Sequence, residues 1–299
     1  MKFVITGGAG FIGSHIAKHL ISKNHEVTII DNLSRGRLEN LSGFEEKIEF
    51  QKIDILNLDS LKKIISDSDG VFHQAALTSV PESFIQKEKY HNVNVVGTEN
   101  IFKLAKEFGK KVVYASSSSV YGNTSVTPIT EDFDKNPINP YGITKLDDEK
   151  LAKKYHDLGV SIIGLRYFNV YGIGQTSDYA GVITKFFDQI KFNQSTIIFG
   201  DGSQSRDFVS VEDVAKANLF SMESNSDFSF LNIGTGIPTS VKELAQLMIN
   251  LSGKSLEIKY DKLPQGDVKE SLADVSLAKK LIGWNYETSL KNGLQKFFF

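Results

Sequence analysis

Near the start of the chain, residues 6–13 read Thr6-Gly7-Gly8-Ala9-Gly10-Phe11-Ile12-Gly13, directly after the apolar run Lys2–Thr6. Apolar residues then recur at helical spacing at Ile12, Ile16 and Leu20, so the pattern G-x-x-G-x-x-G joins a predicted strand to a predicted helix. Such a turn needs residues without a Cβ, and a pyrophosphate can approach its bare backbone and the free N–H groups of the helix N-terminus. The stretch therefore predicts a dinucleotide-binding unit rather than a purely structural turn.

The next apolar run, Glu26–Asp31, ends on an acidic residue. A carboxylate at this point suits the hydroxyl groups of the adenine ribose in NAD and repels the 2′-phosphate of NADP. We therefore expect NAD as the cofactor. Arg35 and Arg37 follow shortly afterwards and could accept a phosphate, so NADP stays open as the alternative.

Strand-like and helical segments alternate through the first half of the chain. The strand-like segments are Lys2–Thr6, Glu26–Asp31, Ile48–Asp54, Val71–Ala76, Lys111–Ser117 and Ser161–Asn169. Several of them are nearly continuous in apolar character, which is typical of parallel strands buried on both faces. The alternation predicts an α/β fold with a Rossmann-type doubly wound parallel sheet and a smaller α/β substrate-binding domain. We assign residues 1–168 to the NAD-binding domain and 169–299 mainly to the second domain, and we expect residues 208–222 to pack back on the first.

The composition is that of an ordinary globular protein. The 299 residues are 40% hydrophobic and 23% charged with a formal net charge of −2, so neither nucleic acid nor an anionic membrane is an expected partner. The absence of Cys excludes disulfides, thiolate catalysis and Cys-based metal sites, and we predict no metal. The chain begins in a strand-like run and has no apolar stretch of ~18 residues, so we expect a cytoplasmic enzyme without a membrane partner.

A candidate acid–base pair lies on a predicted helix that opens at Pro140. Tyr141 and Lys145 are four residues apart, so their side chains leave the helix on one face. An ammonium near a phenol favours the phenolate, which would let Tyr141 accept a proton near neutral pH. The run Ser116–Ser119 ends the fifth predicted strand, at the edge where ligands bind in such sheets. Each feature alone would also fit a solvated helix face or a polar turn.

Together these residues resemble the extended short-chain dehydrogenase/reductase family, and within it the UDP-hexose 4-epimerases. The resemblance covers nearly the whole chain in ordered blocks, which are TGGAGFIG at 6–13, DNLSRG at 31–36, HQAA at 73–76, NVVGT at 94–98, the serine run, YGITK at 141–145, LRYFNVYG at 165–172, FGDGSQSRDFVSVEDVA at 199–215, NIGTG at 232–236 and GDVKESLADVSLAKKLIGW at 266–284. It implies a NAD-dependent enzyme that acts on a UDP-sugar. It also implies a homodimer formed through the helices near Val93–Phe108 and Tyr141–His156.

The resemblance implies a path for NAD along the first half of the chain. The implied contacts are Gly7, Gly10, Phe11, Ile12 and Gly13 for the pyrophosphate, Asp31, Asn32 and either Arg35 or Gly36 for the adenosine ribose, Asp54 and Ile55 for adenine, and Ala75, Asn94 and Ser116 for the nicotinamide half. Tyr141 would be the base, and Lys145 would hold the nicotinamide ribose and acidify Tyr141. The family's hydroxyl falls on Ser117, with Ser118 as the second choice.

The resemblance also implies contacts with the sugar nucleotide. Asn169 would bind the diphosphate, Phe199 would pack near the uracil, and Arg206 would pair with a phosphate, although a surface ion pair with Asp201 or Asp207 is its alternative role. Ser271 would border the C2 substituent of the hexose, where a small residue leaves room for an N-acetyl group. The remaining implied contacts are Ser79, Gln175, Val182 and Lys185, of which Ser79 and Gln175 also resemble the UDP-N-acetylglucosamine branch.

Differences from related families help to choose the reaction. Related 4,6-dehydratases carry an acid just before Val-Tyr-Gly, whereas this chain has Ser118 and Ser119, so we expect epimerisation rather than dehydration. Pro264 stands where many epimerases have a diphosphate-binding Arg, and Lys262 is a candidate substitute. A UDP-glucuronate epimerase or decarboxylase, with Lys185 facing C6, is the alternative function. A non-catalytic NAD-binding protein is disfavoured because the Tyr–Lys pair is present.

Overall fold

The computed structural model describes residues 1–124, 126–175, 181–262 and 270–298. The strands in chain order are β1 Lys2–Thr6, β2 Glu26–Ile30, β3 Ile48–Gln51, β4 Gly70–His73, β5 Lys111–Ser117, β6 Ile162–Tyr167, β7 Asn169–Tyr171, β8 Thr196–Phe199, β9 Ser205–Ser210, β10 Phe228–Ile233, β11 Pro238–Ser240, β12 Ile258–Asp261 and β13 Glu270–Ser271. The helices are α1 Phe11–Ser22, α2 Leu58–Ser66, α3 Val80–Ile85, α4 Lys87–Tyr90, α5 Gly97–Phe108, α6 Pro140–Asp157, α7 Val182–Lys191, α8 Val211–Glu223, α9 Val241–Ser252, α10 Ser276–Ile282 and α11 Leu290–Gln295. A π-helical segment, His91–Val96, leads into α5.

Seven strands form one parallel sheet in the order β3-β2-β1-β4-β5-β6-β10. Helices cover both faces, because α1, α8 and α10 contribute to the apolar core on one side and α2, α5 and α6 to the core on the other. The predicted Rossmann-type doubly wound sheet is therefore confirmed. The strand order reverses between β1 and β4, and in such sheets ligands bind outside the carboxyl ends of the strands at that point.

The strand β10, which completes the sheet by pairing with β6, was not predicted from the sequence. Its first three residues, Phe228, Ser229 and Phe230, are only partly buried, as expected for an edge strand. Strands are predicted from apolar runs, and Ser229 and Asn232 interrupt the apolar residues of β10. Immediately before it in the chain, α8 packs against α1 in the same apolar core.

A second lobe consists of β7, β8, β9, β11, β12, β13, α7, α9 and α11. In it β9 pairs with β11, β13 and β7, and β8 pairs with β12. The helices α7 and α9 bury residues such as Phe186, Leu244 and Met248 against these strands. The division of the chain into two domains at residue 168 stays a prediction. Within the described ranges, no helix combines the length and apolar character needed to span a bilayer.

Candidate active site

The glycine loop between β1 and α1 forms a tight cradle of backbone. Gly7 has a φ of +67°, and a Cβ on it would lie 2.7 Å from the Ala75 backbone nitrogen. A Cβ on Gly13 would lie 2.3 Å from the carbonyl oxygen of Gly7. Gly10 precedes α1 without capping its N-terminus by a side chain. The loop therefore leaves backbone N–H groups of a 12-residue helix open to an anion, and this arrangement fits the pyrophosphate of a dinucleotide.

Asp31 is held firmly at the end of β2. Its carboxylate accepts hydrogen bonds from the backbone nitrogens of Ala9 at 3.1 Å and Leu33 at 2.8 Å. Burial raises the pKa of Asp31, although these two donors act in the opposite direction. A Cβ at Gly36 would lie 2.6 Å from Asp31 Oδ2, so glycine is needed there to keep the carboxylate in place. The carboxylate thus connects the glycine loop to the loop after β2 through these hydrogen bonds.

A cavity extends from the glycine loop across β2. Its walls bring together the residues predicted for the adenosine half, Asp31, Asn32, Arg35, Gly36, Asp54 and Ile55, with Gly7 and Gly10, predicted for the pyrophosphate, and Ala75, predicted for the nicotinamide half. Asn32 donates a hydrogen bond to Asp54 Oδ2 at 2.8 Å, which links the loops after β2 and β3. The residues that line this cavity thus border one space, although as many as 68 residues separate them in the chain.

A second cavity shares Gly7, Gly10 and Arg35 with the first, so the two form one continuous cleft. It is bordered by Phe11, Ile12, Gly13, Ser116, Ser117, Tyr141, Lys145 and Gln175. Ser117 accepts a hydrogen bond from the Ser119 nitrogen and donates one to its hydroxyl, both at 3.1 Å. Ser118, by contrast, is not among the residues that border the cleft. The geometry therefore favours Ser117 over Ser118 as the hydroxyl near the substrate.

The helix α6 carries the acid–base pair into this cleft. Asn139 caps its N-terminus by accepting a hydrogen bond from the Gly142 nitrogen at 2.8 Å. Tyr141 is half-buried at the cleft, whereas the Lys145 side chain is only 3% exposed and donates to Asp148 Oδ2 at 3.1 Å. Asp148 was not predicted from the sequence. The signal was present, because Asp148 lies three residues after Lys145 and hence on the same side of the helix.

A buried ion pair anchors α6 to the sheet. Arg166 on β6 donates to both carboxylate oxygens of Glu149 at 2.8 Å, and Ser116 Oγ donates to Glu149 Oε1 at 2.7 Å. This pair was not predicted from the sequence either. An Arg within the apolar run Ser161–Asn169 signalled it, because a charge buried in a strand needs a partner.

Asn94 is a buried residue that connects two segments near the cleft by hydrogen bonds. It is fully buried, accepts a hydrogen bond from the Leu77 nitrogen at 2.8 Å, and donates to the Leu77 carbonyl and to Thr144 Oγ1, each at 3.0 Å. These contacts join the loop after β4 to α6.

Ser79 caps α3 by accepting a hydrogen bond from the Glu82 nitrogen at 3.3 Å. The direct roles predicted for Asn94 and Ser79 stay predictions.

The residues predicted to bind the sugar nucleotide divide between the cleft and the second lobe. Gln175 borders the cleft and accepts a hydrogen bond from Thr184 Oγ1 at 3.0 Å. That bond connects the cleft to α7, which carries Val182 and Lys185. Asn169 donates to the Asp207 carbonyl at 3.3 Å.

Deeper in the second lobe, Arg206 and Ser271 lie opposite each other in the β9–β13 pairing. Phe199 ends β8 and is 39% exposed. The carboxylate of Asp207, one alternative partner of Arg206, instead accepts hydrogen bonds from Thr235, Gly236 and Ala273. Pro264 lies outside the described residues. Within those residues, no group of three His, Asp or Glu side chains could hold a metal ion.

Comparison with known proteins identifies the family. The model of the NAD dependent epimerase/dehydratase family matches residues 3–234. The UDP-N-acetylglucosamine 4-epimerase of Methanobrevibacter ruminantium, solved with UDP-N-acetylmuramic acid, is 38% identical with a TM-score of 0.95, over 99% of this chain and 96% of that one. The UDP-glucose 4-epimerase of Thermotoga maritima, solved with UDP-glucose, is 36% identical with a TM-score of 0.94, over 99% of this chain and 96% of that one.

A third structure extends the range of sugars among these relatives. The UDP-glucuronic acid 4-epimerase of Bacillus cereus, solved with UDP-glucuronic acid and NAD, is 32% identical with a TM-score of 0.92, over 100% of this chain and 98% of that one. The family model and the NAD bound in the B. cereus structure agree with the cradle for a dinucleotide. The chain therefore belongs to the NAD dependent epimerase/dehydratase family, and its cofactor is NAD.

Proposed function

We propose that the protein catalyses the 4-epimerisation of a UDP-hexose. The observation that carries the proposal is the single cleft in which Tyr141, Lys145 and Ser117 face the glycine loop, with serines rather than acids at positions 118 and 119. Elimination of water from the ring would need an acid that the chain lacks there. Epimerisation needs only the transfer of one proton and one hydride in each direction.

In this proposal each residue of the cleft has one task. Tyr141 accepts the proton of the C4 hydroxyl, and Ser117 holds the same oxygen by a hydrogen bond. Lys145 supplies the positive charge that favours the phenolate of Tyr141. NAD takes the C4 hydride and returns it, so the cofactor ends each cycle unchanged. Between the two transfers the 4-keto sugar turns over, and Tyr141 then returns the proton to the C4 oxygen.

The second lobe bears on the choice of sugar. Ser271 is small and is the register neighbour of Arg206, the residue proposed to bind a phosphate of UDP. If the hexose follows the diphosphate along this edge, a small side chain leaves room for an N-acetyl group at C2. UDP-N-acetylglucosamine and UDP-N-acetylgalactosamine are therefore proposed substrates beside UDP-glucose and UDP-galactose. The M. ruminantium relative, a UDP-N-acetylglucosamine 4-epimerase by name, supports this extension.

A UDP-glucuronate epimerase or decarboxylase is the second candidate. It is favoured by the B. cereus relative and by Lys185, a cation on the helix to which Gln175 connects. NMR of product mixtures from UDP-glucose, UDP-galactose, their N-acetyl counterparts and UDP-glucuronate separates the candidates. Equilibration of C4 epimers from the hexose substrates, with or without the N-acetyl group, supports the first proposal, whereas UDP-galacturonate or UDP-xylose, formed from UDP-glucuronate, as the only product favours the second. A homodimer in the cytoplasm is likewise proposed.

A further inference from the structure

Behind the catalytic pair lies a buried carboxyl group that the proposed mechanism does not use. Asp148 is completely buried, and its Oδ2 lies 3.1 Å from the Lys145 ammonium. Its other oxygen, Oδ1, is buried without a hydrogen-bond partner among the described residues. A charged carboxylate normally attracts several donors when it is buried, because an unpaired oxygen there is costly. Asp148 thus has one strong partner, and that partner is the lysine of the active site.

The surroundings of Asp148 supply little further charge. His73 Nε2 lies 2.9 Å from Thr98 Oγ1, and its Nδ1 lies 2.6 Å from Thr6 Oγ1. Burial lowers the pKa of His73 to about 3, so its ring is neutral. The hydroxyl of Thr98 donates to the Asn94 carbonyl, and although it favours the ionised form of Asp148 it carries no charge. The charge of Asp148 is therefore balanced mainly by Lys145.

The other titratable groups around Asp148 are either paired or uncharged. They are Tyr114 on β5, whose buried hydroxyl has a pKa raised by desolvation, the Glu149–Arg166 pair, and Asp147, which faces outward and pairs with Lys150 at 2.8 Å. Burial raises the pKa of Asp148 to about 7, although Lys145 acts in the opposite direction. The carboxyl group therefore changes its charge near neutral pH, next to the lysine that faces the cleft.

We propose that Asp148 is a positioning residue that controls how strongly the Lys145 ammonium acts on Tyr141. When Asp148 is ionised, its carboxylate holds the ammonium and opposes a second negative charge on Tyr141. When Asp148 takes up a proton, the full positive charge of Lys145 acts on the phenol. The inference rests on the proposed role of Tyr141 as the base, but not on the identity of the sugar.

Asp148→Asn tests the proposal, because it removes the negative charge at nearly unchanged shape. The ultraviolet titration of tyrosinate in the NAD-bound protein, with the signal of Tyr141→Phe subtracted, should have its midpoint about one pH unit lower in the variant, as expected for a charge a few ångströms away. The acidic limb of the pH profile of kcat should move in the same direction, with KM unchanged. An unmoved midpoint in folded Asp148→Asn would overturn the proposal.

A control and a second variant complete the test. Asp147→Asn removes the same charge from the neighbouring position and should leave the midpoint in place; an equal shift there would show a general charge effect and contradict the proposal. If Asp148→Asn does not fold, Thr98→Val keeps the Asp148–Lys145 pair and removes a hydroxyl that favours the ionised carboxyl, together with the contacts of that hydroxyl to His73 and Asn94. It should lower the midpoint by a smaller amount, and no shift would again overturn the proposal. The titration needs no sugar. A lowered tyrosinate midpoint in a protein that does not turn over a UDP-hexose would therefore contradict only the proposed substrate.

Discussion

Tyr141 borders the cleft, whereas Lys145, four residues later on the same helix, is almost completely buried. Tyr141→Phe removes the proton acceptor and keeps the ring, so turnover should fall by at least ~10²-fold. NAD should stay bound, because the glycine loop and Asp31 are untouched. Steady-state rates and cofactor content of the purified variant check both points. Ser117→Ala should cost less than Tyr141→Phe, and Ser118→Ala less again; near-normal turnover of Tyr141→Phe would exclude Tyr141 as the base.

Ser271 carries the prediction about the sugar. If Ser271 borders C2, a Tyr at this position would fill the space of an acetamido group, and overpacking of this kind costs ~1–3 kcal/mol. Because each 1.36 kcal/mol is tenfold in rate, Ser271→Tyr should depress activity on UDP-N-acetylglucosamine by roughly ten- to a hundredfold and largely spare UDP-glucose. Parallel kcat/KM measurements on the two sugars check it. Unchanged activity on the acetamido sugar would show that Ser271 does not face C2.

Two buried groups near Lys145 should affect stability in opposite directions as the pH changes. The pKa of His73 falls from 6.5 to about 3, so the folded state binds fewer protons than the unfolded state and stability is lost as the pH falls through this range. The pKa of Asp148 rises from 3.8 to about 7, so stability is gained as the pH falls from about 7 towards 3.8. The two contributions offset each other in the wild type.

Asp148→Asn should therefore lose stability more steeply than the wild type on acidification from about 6.5 to 4, because only the His73 contribution remains. Urea denaturation midpoints at several pH values measure the difference, with Asp147→Asn expected to follow the wild type. If the denaturation midpoints of Asp148→Asn and the wild type change with pH in parallel, the pKa of Asp148 is not raised in the folded state.

At the residue scale, the sequence predicted the functional positions that depend on neighbours in the chain. The glycines and Asp31 belong to one strand–turn–helix–strand unit, so their relation is visible in the linear pattern. The environment of Asp148 was not predictable in this way, because Thr98 and His73 approach it from 50 or more residues away. Burial and pairing of such a group depend on how α5, α6 and β4 meet.

At the scale of elements, the six strands with continuous apolar runs were predicted and the edge strand β10 was not. The other edge strand, β3, was predicted, so a position at an edge does not by itself explain why β10 was missed; in β10, Ser229 and Asn232 interrupt the apolar residues. The run Val71–Ala76 was predicted too long at its end, since β4 stops at His73. Ala75 and Ala76 instead turn out of the sheet and border the cleft.

A link between two elements across the cleft leads to a prediction about the cofactor. Arg35, in the loop after β2, lies 2.6 Å from both carboxylate oxygens of Glu82 on α3, and both residues border the cleft. Gln86 and Tyr90 also donate to Glu82 and hold it in place. The pair thus connects the two sides of the cleft that receives the dinucleotide, and NAD release should require it to open.

Glu82→Gln should therefore accelerate NAD release. A partly exposed ion pair contributes at most about 1 kcal/mol, so we expect an increase of two- to fivefold in the dissociation rate constant. Stopped-flow displacement of bound NAD measures it. Glu88→Gln, an exposed change on the adjacent α4, is the matched control and should leave the rate unchanged. A release rate for Glu82→Gln equal to that of the control would show that the pair does not retain the cofactor.

At the scale of the whole molecule, the sequence predicted a large sheet and a smaller second lobe but not which side chains meet between distant segments. Arg206 and Ser271 come from segments 65 residues apart and become neighbours through the register of β9 and β13. Gln175 reaches the cleft although it lies beyond the last predicted strand. Such proximity depends on strand pairing in the second lobe, whose short strands leave little periodic signal in the chain.

The proposed homodimer is also a property of the whole molecule. Ile143 on α6 is 48% exposed, and Val96, in the segment packed against α6, is 37% exposed. The short helix α3, which also packs against α6, adds Phe84 at 54% and Ile85 at 84%. Several large apolar side chains on neighbouring elements are typical of a surface that another chain covers. They lie on or beside the two helices for which the resemblance implies a dimer.

Ile143→Glu should therefore separate the dimer, because it would place a carboxylate in the buried centre of the interface. Light scattering coupled to size exclusion should give about twice the 33.2 kDa chain mass for the wild type and the chain mass for the variant. Leu158→Glu introduces the same charge at a residue that is equally exposed, at 49%, but ~20 Å farther along the axis of α6, and it should remain dimeric. A wild type of single chain mass would contradict the dimer, and equal dissociation of both variants would place the interface elsewhere.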